Sequence, residues 1–141
     1  MTDDAASYRR IPIEILNEGR LELIDELFAE DYVEHAAIPP GFPEGREAVR
    51  MFFVMLREAF PDLRYEVLQQ YQDGDIHIGY IRGSGTMTGA FMGMEPTSKS
   101  ATWEETHIGR MRDGRLVEHW AVLDQLKMLQ DLGLAPAPPG A

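Results

Sequence analysis

The 141-residue sequence holds four histidines, His35, His77, His107 and His119, and no cysteine, so side-chain proton chemistry falls to imidazoles and carboxylates. Glu105 and His107 are two apart in a segment of alternating polar and apolar residues, a spacing that sets both on one strand face. Such a pair can orient a proton. It matches no recognised metal-ligand spacing, and no metal is expected. Asp124 stands at a strand-to-helix junction, after Val122-Leu123 and before Gln125-Leu126. Its carboxylate can cap the helix by accepting backbone N–H bonds. At the mouth of an apolar cavity the same group would instead move a proton to or from a carbon acid. On local grounds alone the cap is the favoured role.

Aromatic and thioether side chains offer walls for such a cavity. Phe91 and Met94 lie in a Gly- and Met-rich connection with Met87 and Met92, whose thioethers adapt to irregular apolar shapes. Trp103 and Trp120 suit a pocket wall, and equally a core or an interface. The stretch Gly83-Ser84-Gly85-Thr86-Met87-Thr88-Gly89 is no dinucleotide fingerprint, because its third glycine comes one residue late and strands surround it. No phosphate-binding Gly-x-x-x-x-Gly-Lys loop, zinc HExxH or Gly-x-Ser-x-Gly elbow occurs, and no cofactor is expected.

The elements that must position these groups follow from periodicity. A first helix is expected over 7–17, with Ser7 as N-cap and Pro12 in its first turn. A short second helix follows at 23–28, and the proline-rich stretch 38–45 is a loop. Val49, Phe52, Phe53, Leu56 and Phe60 then mark an amphipathic helix that Pro61 ends. Beyond it the period changes to two, predicting strands at 65–71, 76–81, 101–111 and 116–123, with turns at Asp73-Gly74 and Asp113-Gly114. Asp124 opens a last short helix that Gly133 closes. Helices followed by a run of strands imply an α+β fold, the helices packed on one face of a curved antiparallel sheet.

The 24 acidic and 13 basic side chains give a formal net charge of −11, and 44% of the residues are apolar. One domain over 1–141 is expected, with 1–6 and 134–141 as flexible tails. Scattered cations among nearly twice as many carboxylates disfavour nucleic acid. The longest apolar run, Met51 to Leu56, is far shorter than the roughly 20 residues that span a bilayer. With an acidic N-terminus and no cysteine, a cytoplasmic location is expected.

Several stretches resemble one family in order: Asn17-Glu18-Gly19-Arg20, Asp31-Tyr32-Val33-Glu34-His35, Phe60-Pro61-Asp62, Thr88-Gly89-Ala90-Phe91-Met92-Gly93, and Asp113-Gly114-Arg115-Leu116-Val117-Glu118-His119-Trp120 with Val122-Leu123-Asp124. From about Asn17 to Gly133 the chain is similar to SnoaL-like polyketide cyclases. The resemblance implies a cone-shaped α+β fold shared with nuclear transport factor two, scytalone dehydratase and ketosteroid isomerase: three N-terminal helices on a curved, mostly antiparallel sheet enclosing a pocket, and a short C-terminal helix. It implies intramolecular aldol condensation of an apolar, carbonyl-containing substrate without a cofactor. Asp124 would be the general acid and base, with His35 and His107 hydrogen-bonding the enolate. Glu105, Trp103, Trp120 and Tyr32 would line the pocket, as would Phe53, Phe91 and Met94. A homodimer through the outer sheet face is expected too. The alternatives are a non-catalytic binding or scaffold module in which Asp124 only caps its helix, and a hydrolase or dehydratase using a carboxylate–histidine pair.

Overall fold

The computed structural model describes residues 3–140. Five strands form one open, mixed sheet in the order β1-β5-β4-β3-β2, with β1 Phe28–Glu34, β2 Arg64–Asp73, β3 Ile76–Thr86, β4 Ser100–Arg112 and β5 Arg115–Leu123. The four later strands run antiparallel, as their alternation predicts, and breaks in register in β2 and between β4 and β5 bend the sheet. β1 pairs with β5 in parallel and was not legible as a strand. Its burial does not alternate, and Phe28 and Ala29 continue the apolar stripe of the preceding helix.

The helices cover one sheet face. α1 (Asp4–Arg10) starts earlier than the sequence suggests, because Asp3 rather than Ser7 caps it, accepting from Ala6 N at 3.0 Å. Residues 4–6 are therefore helix, not tail. The chain continues without a break into a π-helical stretch, Ile11–Asn17, so Pro12 sits mid-helix, where wider turns accommodate its missing N–H. Asn17 then clamps this end to β2, donating to Tyr65 O at 2.9 Å and accepting from Tyr65 N at 2.6 Å. A 3₁₀ turn (Leu21–Leu23) leads to α2 (Ile24–Leu27), and α3 (Arg46–Ala59) packs across β1. α4 (Gln125–Asp131) closes the fold against β4, and Leu134 still packs on the core.

Two apolar clusters fill the space between helices and sheet, one around Phe60, Trp103 and Leu132, the other around Ile15, Leu27 and Leu116, with Phe53 touching both. Gly83 shows what β3 contributes: a Cβ there would lie 2.7 Å from ring atoms of both Trp103 and Tyr65, so only glycine lets these rings approach the strand. Among the described residues, no helix is long and apolar enough to cross a membrane.

Candidate functional site

Alternation along the strands puts Trp103, Glu105 and His107 of β4 on the face that meets the helices. Glu105 is buried and receives three bonds. Trp103 Nε1 donates to its Oε2 at 2.6 Å, Tyr65 Oη to the same oxygen at 2.8 Å, and His107 Nε2 lies 2.7 Å from Oε1. His107 Nδ1 in turn meets His119 Nε2 at 2.7 Å, with the rings stacked at 5.0 Å between centroids. His119 Nδ1 then meets Glu34 Oε2 at 2.6 Å, and Glu34 also accepts from Tyr32 Oη at 2.7 Å and Ala36 N at 3.2 Å. One hydrogen-bonded chain thus crosses β4, β5 and β1 inside the cone.

Burial pushes the carboxyl pKa values of Glu105 and Glu34 up, but the bonds from the histidines, and then from Trp103, Tyr65, Tyr32 and the Ala36 amide, outweigh it. Both are held below the ordinary carboxylate value. Burial and the neighbouring carboxylates push Tyr65 and Tyr32 well above the usual phenol value, so both act as neutral donors. The side chain of Glu105 is 10% exposed and that of His107 25%, so the carboxylate is buried and the imidazole beside it is the most exposed member of the chain. Leu123, the register partner of Glu105 on the inner face, is exposed, so the face is open there.

The remaining predicted site residues divide. Tyr32 belongs to the chain, and Trp103 is both core and donor to Glu105. Phe53 is half-buried between the clusters, while Phe91 packs edge-on against Phe60, with Met94 beside it. Three positions stand apart from this interior. Asp124 is exposed and caps α4, accepting from Lys127 N at 3.1 Å, because β5 ends at Leu123 and the carboxylate folds back over the new helix. His35 lies on the outer sheet face, one residue past Glu34, where it stacks on Trp120 at 4.6 Å and bonds Glu118 at 2.9 Å. Trp120 pairs with Ile108 and shares that outer face, one residue past inward-facing His119. Neither His35 nor Trp120 faces the interior.

Sequence reasoning missed Glu34, His119 and Tyr65 as members of the site. His119 had a signal: it and His107 stand at similar distances from the Asp113-Gly114 turn, which makes them hairpin neighbours. Glu34 had none, because β1 was unread. Two surface grooves, of about 400 Å³ beside Ile13, Asn17 and Arg64 and about 600 Å³ beside Asp31, Arg112 and Arg115, are lined by none of Glu105, His107, His119 or Glu34.

Residues 6–132 match the family model described as SnoaL-like polyketide cyclase. Nogalonic acid methyl ester cyclase of Streptomyces nogalater is 27% identical over 122 residues, 86% of this chain and 91% of that protein. The structure of IdmH from Streptomyces antibioticus superposes with a TM-score of 0.81 at 32% identity, covering 94% of this chain and 99% of IdmH. TsrD from Streptomyces laurentii shares the fold, with a TM-score of 0.82 at 21% identity over 95% of this chain and 100% of that one.

Proposed function

The chain belongs to the SnoaL-like polyketide cyclase family, and from that premise we propose that it closes a ring in an apolar, carbonyl-containing polyketide, with Glu105 carrying the proton. The observation that carries this reading is the position of Glu105: buried, bonded on both oxygens, and opposite the open end of the inner face at Leu123. Its ionised carboxylate has a further lone pair for an acidic α-proton. The carbanion attacks a second carbonyl of the same molecule, one C–C bond forms, and Glu105 returns the proton to the new alkoxide. No atom is lost and no cofactor is used. A positioned base supplies roughly 10²- to 10⁴-fold, and holding the two carbonyls in a reactive conformer supplies the rest.

The relative from Streptomyces nogalater provides a substrate to try. Incubated with nogalonic acid methyl ester, the chain is expected to form an isomer of unchanged mass, and Glu105→Gln to slow this by about 10²-fold or more with the fold retained. Unaltered turnover in that variant would move the chemistry elsewhere. A second reading, hydration or dehydration in the same site, is favoured by the 2.7 Å Glu105–His107 pair, which could activate water; a product differing in mass by one water would decide for it.

We also propose a homodimer contact on the outer sheet face. Val122 is 77% exposed there and Tyr71 58%, with Ile108 beside Trp120. Light scattering across a concentration series tests it.

A further inference from the structure

Glu105, His107, His119 and Glu34 are linked end to end by contacts of 2.7, 2.7 and 2.6 Å. Each contact at such a distance needs one proton. A neutral imidazole brings one N–H and one lone pair, and an ionised carboxylate brings lone pairs only. With both carboxylates ionised, His107 must turn its N–H to Glu105 through Nε2, and His119 its N–H to Glu34 through Nδ1. The nitrogens left facing each other, His107 Nδ1 and His119 Nε2, would then be two lone pairs 2.7 Å apart. That contact repels. One more proton between them makes it a charge-assisted bond.

We infer that the folded chain holds His107 and His119 as a pair with three N–H protons rather than two, and that Glu34 is the positioning residue that keeps the third proton there. The inference deepens the reading of Glu105 as proton carrier and rests on it for any effect on turnover; the proton count stands apart from it.

The surroundings agree. Trp103 and Tyr65 donate to Glu105, and Tyr32 and the Ala36 amide donate to Glu34, so each carboxylate is fixed in place at its far side. The inward side chains of α3, Val49, Phe52, Phe53 and Leu56, are apolar. Its cations are turned away, Arg46 and Arg50 toward Asp25 and Arg57 toward the carbonyls of Leu16 and Asn17. α1 contributes the neutral phenol of Tyr8, which packs against His77 of β3. Among the described residues, the charge of the pair is answered by Glu105 and Glu34. The third proton also has somewhere to go. If His107 Nε2 passes its proton to Glu105, the result is a neutral carboxyl and two neutral imidazoles with all three bonds intact.

The test is a count. Long-range proton–nitrogen NMR on uniformly ¹⁵N-labelled full-length protein at neutral pH is expected to show His107 Nε2 and His119 Nδ1 protonated and the two facing nitrogens sharing a third proton. In Glu34→Gln the amide cannot balance that charge, and the pair is expected to show two N–H protons. With nogalonic acid methyl ester as substrate, kcat of that variant is expected to fall about tenfold or more while KM holds. Tyr32→Phe, which keeps the carboxylate and removes one donor, should retain the third proton; it serves as the test if Glu34→Gln does not fold, and loss of the proton in it overturns the inference. Two neutral rings in the wild type, or an unaltered count in Glu34→Gln, would also overturn it. A chain with three protons and no turnover sinks the proposed reaction and leaves this inference standing; an active chain with two does the reverse.

Discussion

The two faces of the sheet carry the same pairing in opposite order. Inside, Glu34 of β1 holds His119 of β5 at 2.6 Å; outside, the next residue of β1, His35, holds the preceding residue of β5, Glu118, at 2.9 Å. The chemistry is matched and the surroundings are not. Glu34 and His119 have side chains 15% and 13% exposed and continue into a second carboxylate–histidine pair, whereas His35 and Glu118 are 37% and 33% exposed, and Glu118 is shared with Arg110. Water screens the outer pair, so its attraction is worth little; the inner pair is desolvated, so leaving either member alone is costly. Identical residue types therefore make a candidate reaction centre on one face and an ordinary surface contact on the other.

The largest effect that would sharpen this contrast is on stability. His119→Leu strands Glu34 and one face of His107, and is expected to cost about 2–3 kcal/mol in urea unfolding, the range for a partly buried charged hydrogen bond left unmade. Glu118→Gln on the other face is expected to leave the urea midpoint in place; equal losses in both would break the comparison. Acid gives a smaller contrast. Glu34 and Glu105 have folded-state values below their unfolded value of about 4.5, so their contribution is complete above that pH and lost as pH falls through the folded values. Glu118 is shifted the same way by His35 and Arg110, but at the surface. At about 1 M salt, where screening acts within about 3 Å, stability should still fall with acid in wild type and Glu118→Gln, and fall less in Glu34→Gln. The smallest effect belongs to Asp124. Asp124→Ala should cost about 1 kcal/mol as a lost cap and Asp124→Asn almost nothing, with turnover of nogalonic acid methyl ester unchanged in both. Turnover abolished in Asp124→Asn at full stability would return that residue to the chemistry.

What could be read from the sequence was local. α3 and the strands β2 to β5 announce themselves by period, and Glu105 and His107 share a face because they are two apart. The residues that complete the site come from afar. Tyr65 reaches Glu105 across β3, over the gap that Gly83 leaves, and Glu34 meets His119 through a parallel pairing of segments 85 residues apart. No local pattern encodes such a contact. Asp124 was legible in a different way: its junction pointed to a cap, and the cap is what formed, while the catalytic role came from family resemblance and not from the local sequence. His35 and Trp120 were misplaced by single residues, which on a strand is a change of face.

The mirrored pairs have a consequence for assembly of the sheet. β1 is its one parallel strand, and a burial pattern without alternation gives it little apolar guidance on how far to slide along β5. Polar order supplies that guidance. Slipped one residue in one direction, β1 would set His35 against His119 and leave Glu118 facing Ala36. Slipped the other way, it would set Glu34 against Glu118 and bury His119 against Val33. Only one alignment gives every imidazole a carboxylate on both faces, so the side chains that shape the interior also act as a ratchet stop for the parallel edge strand.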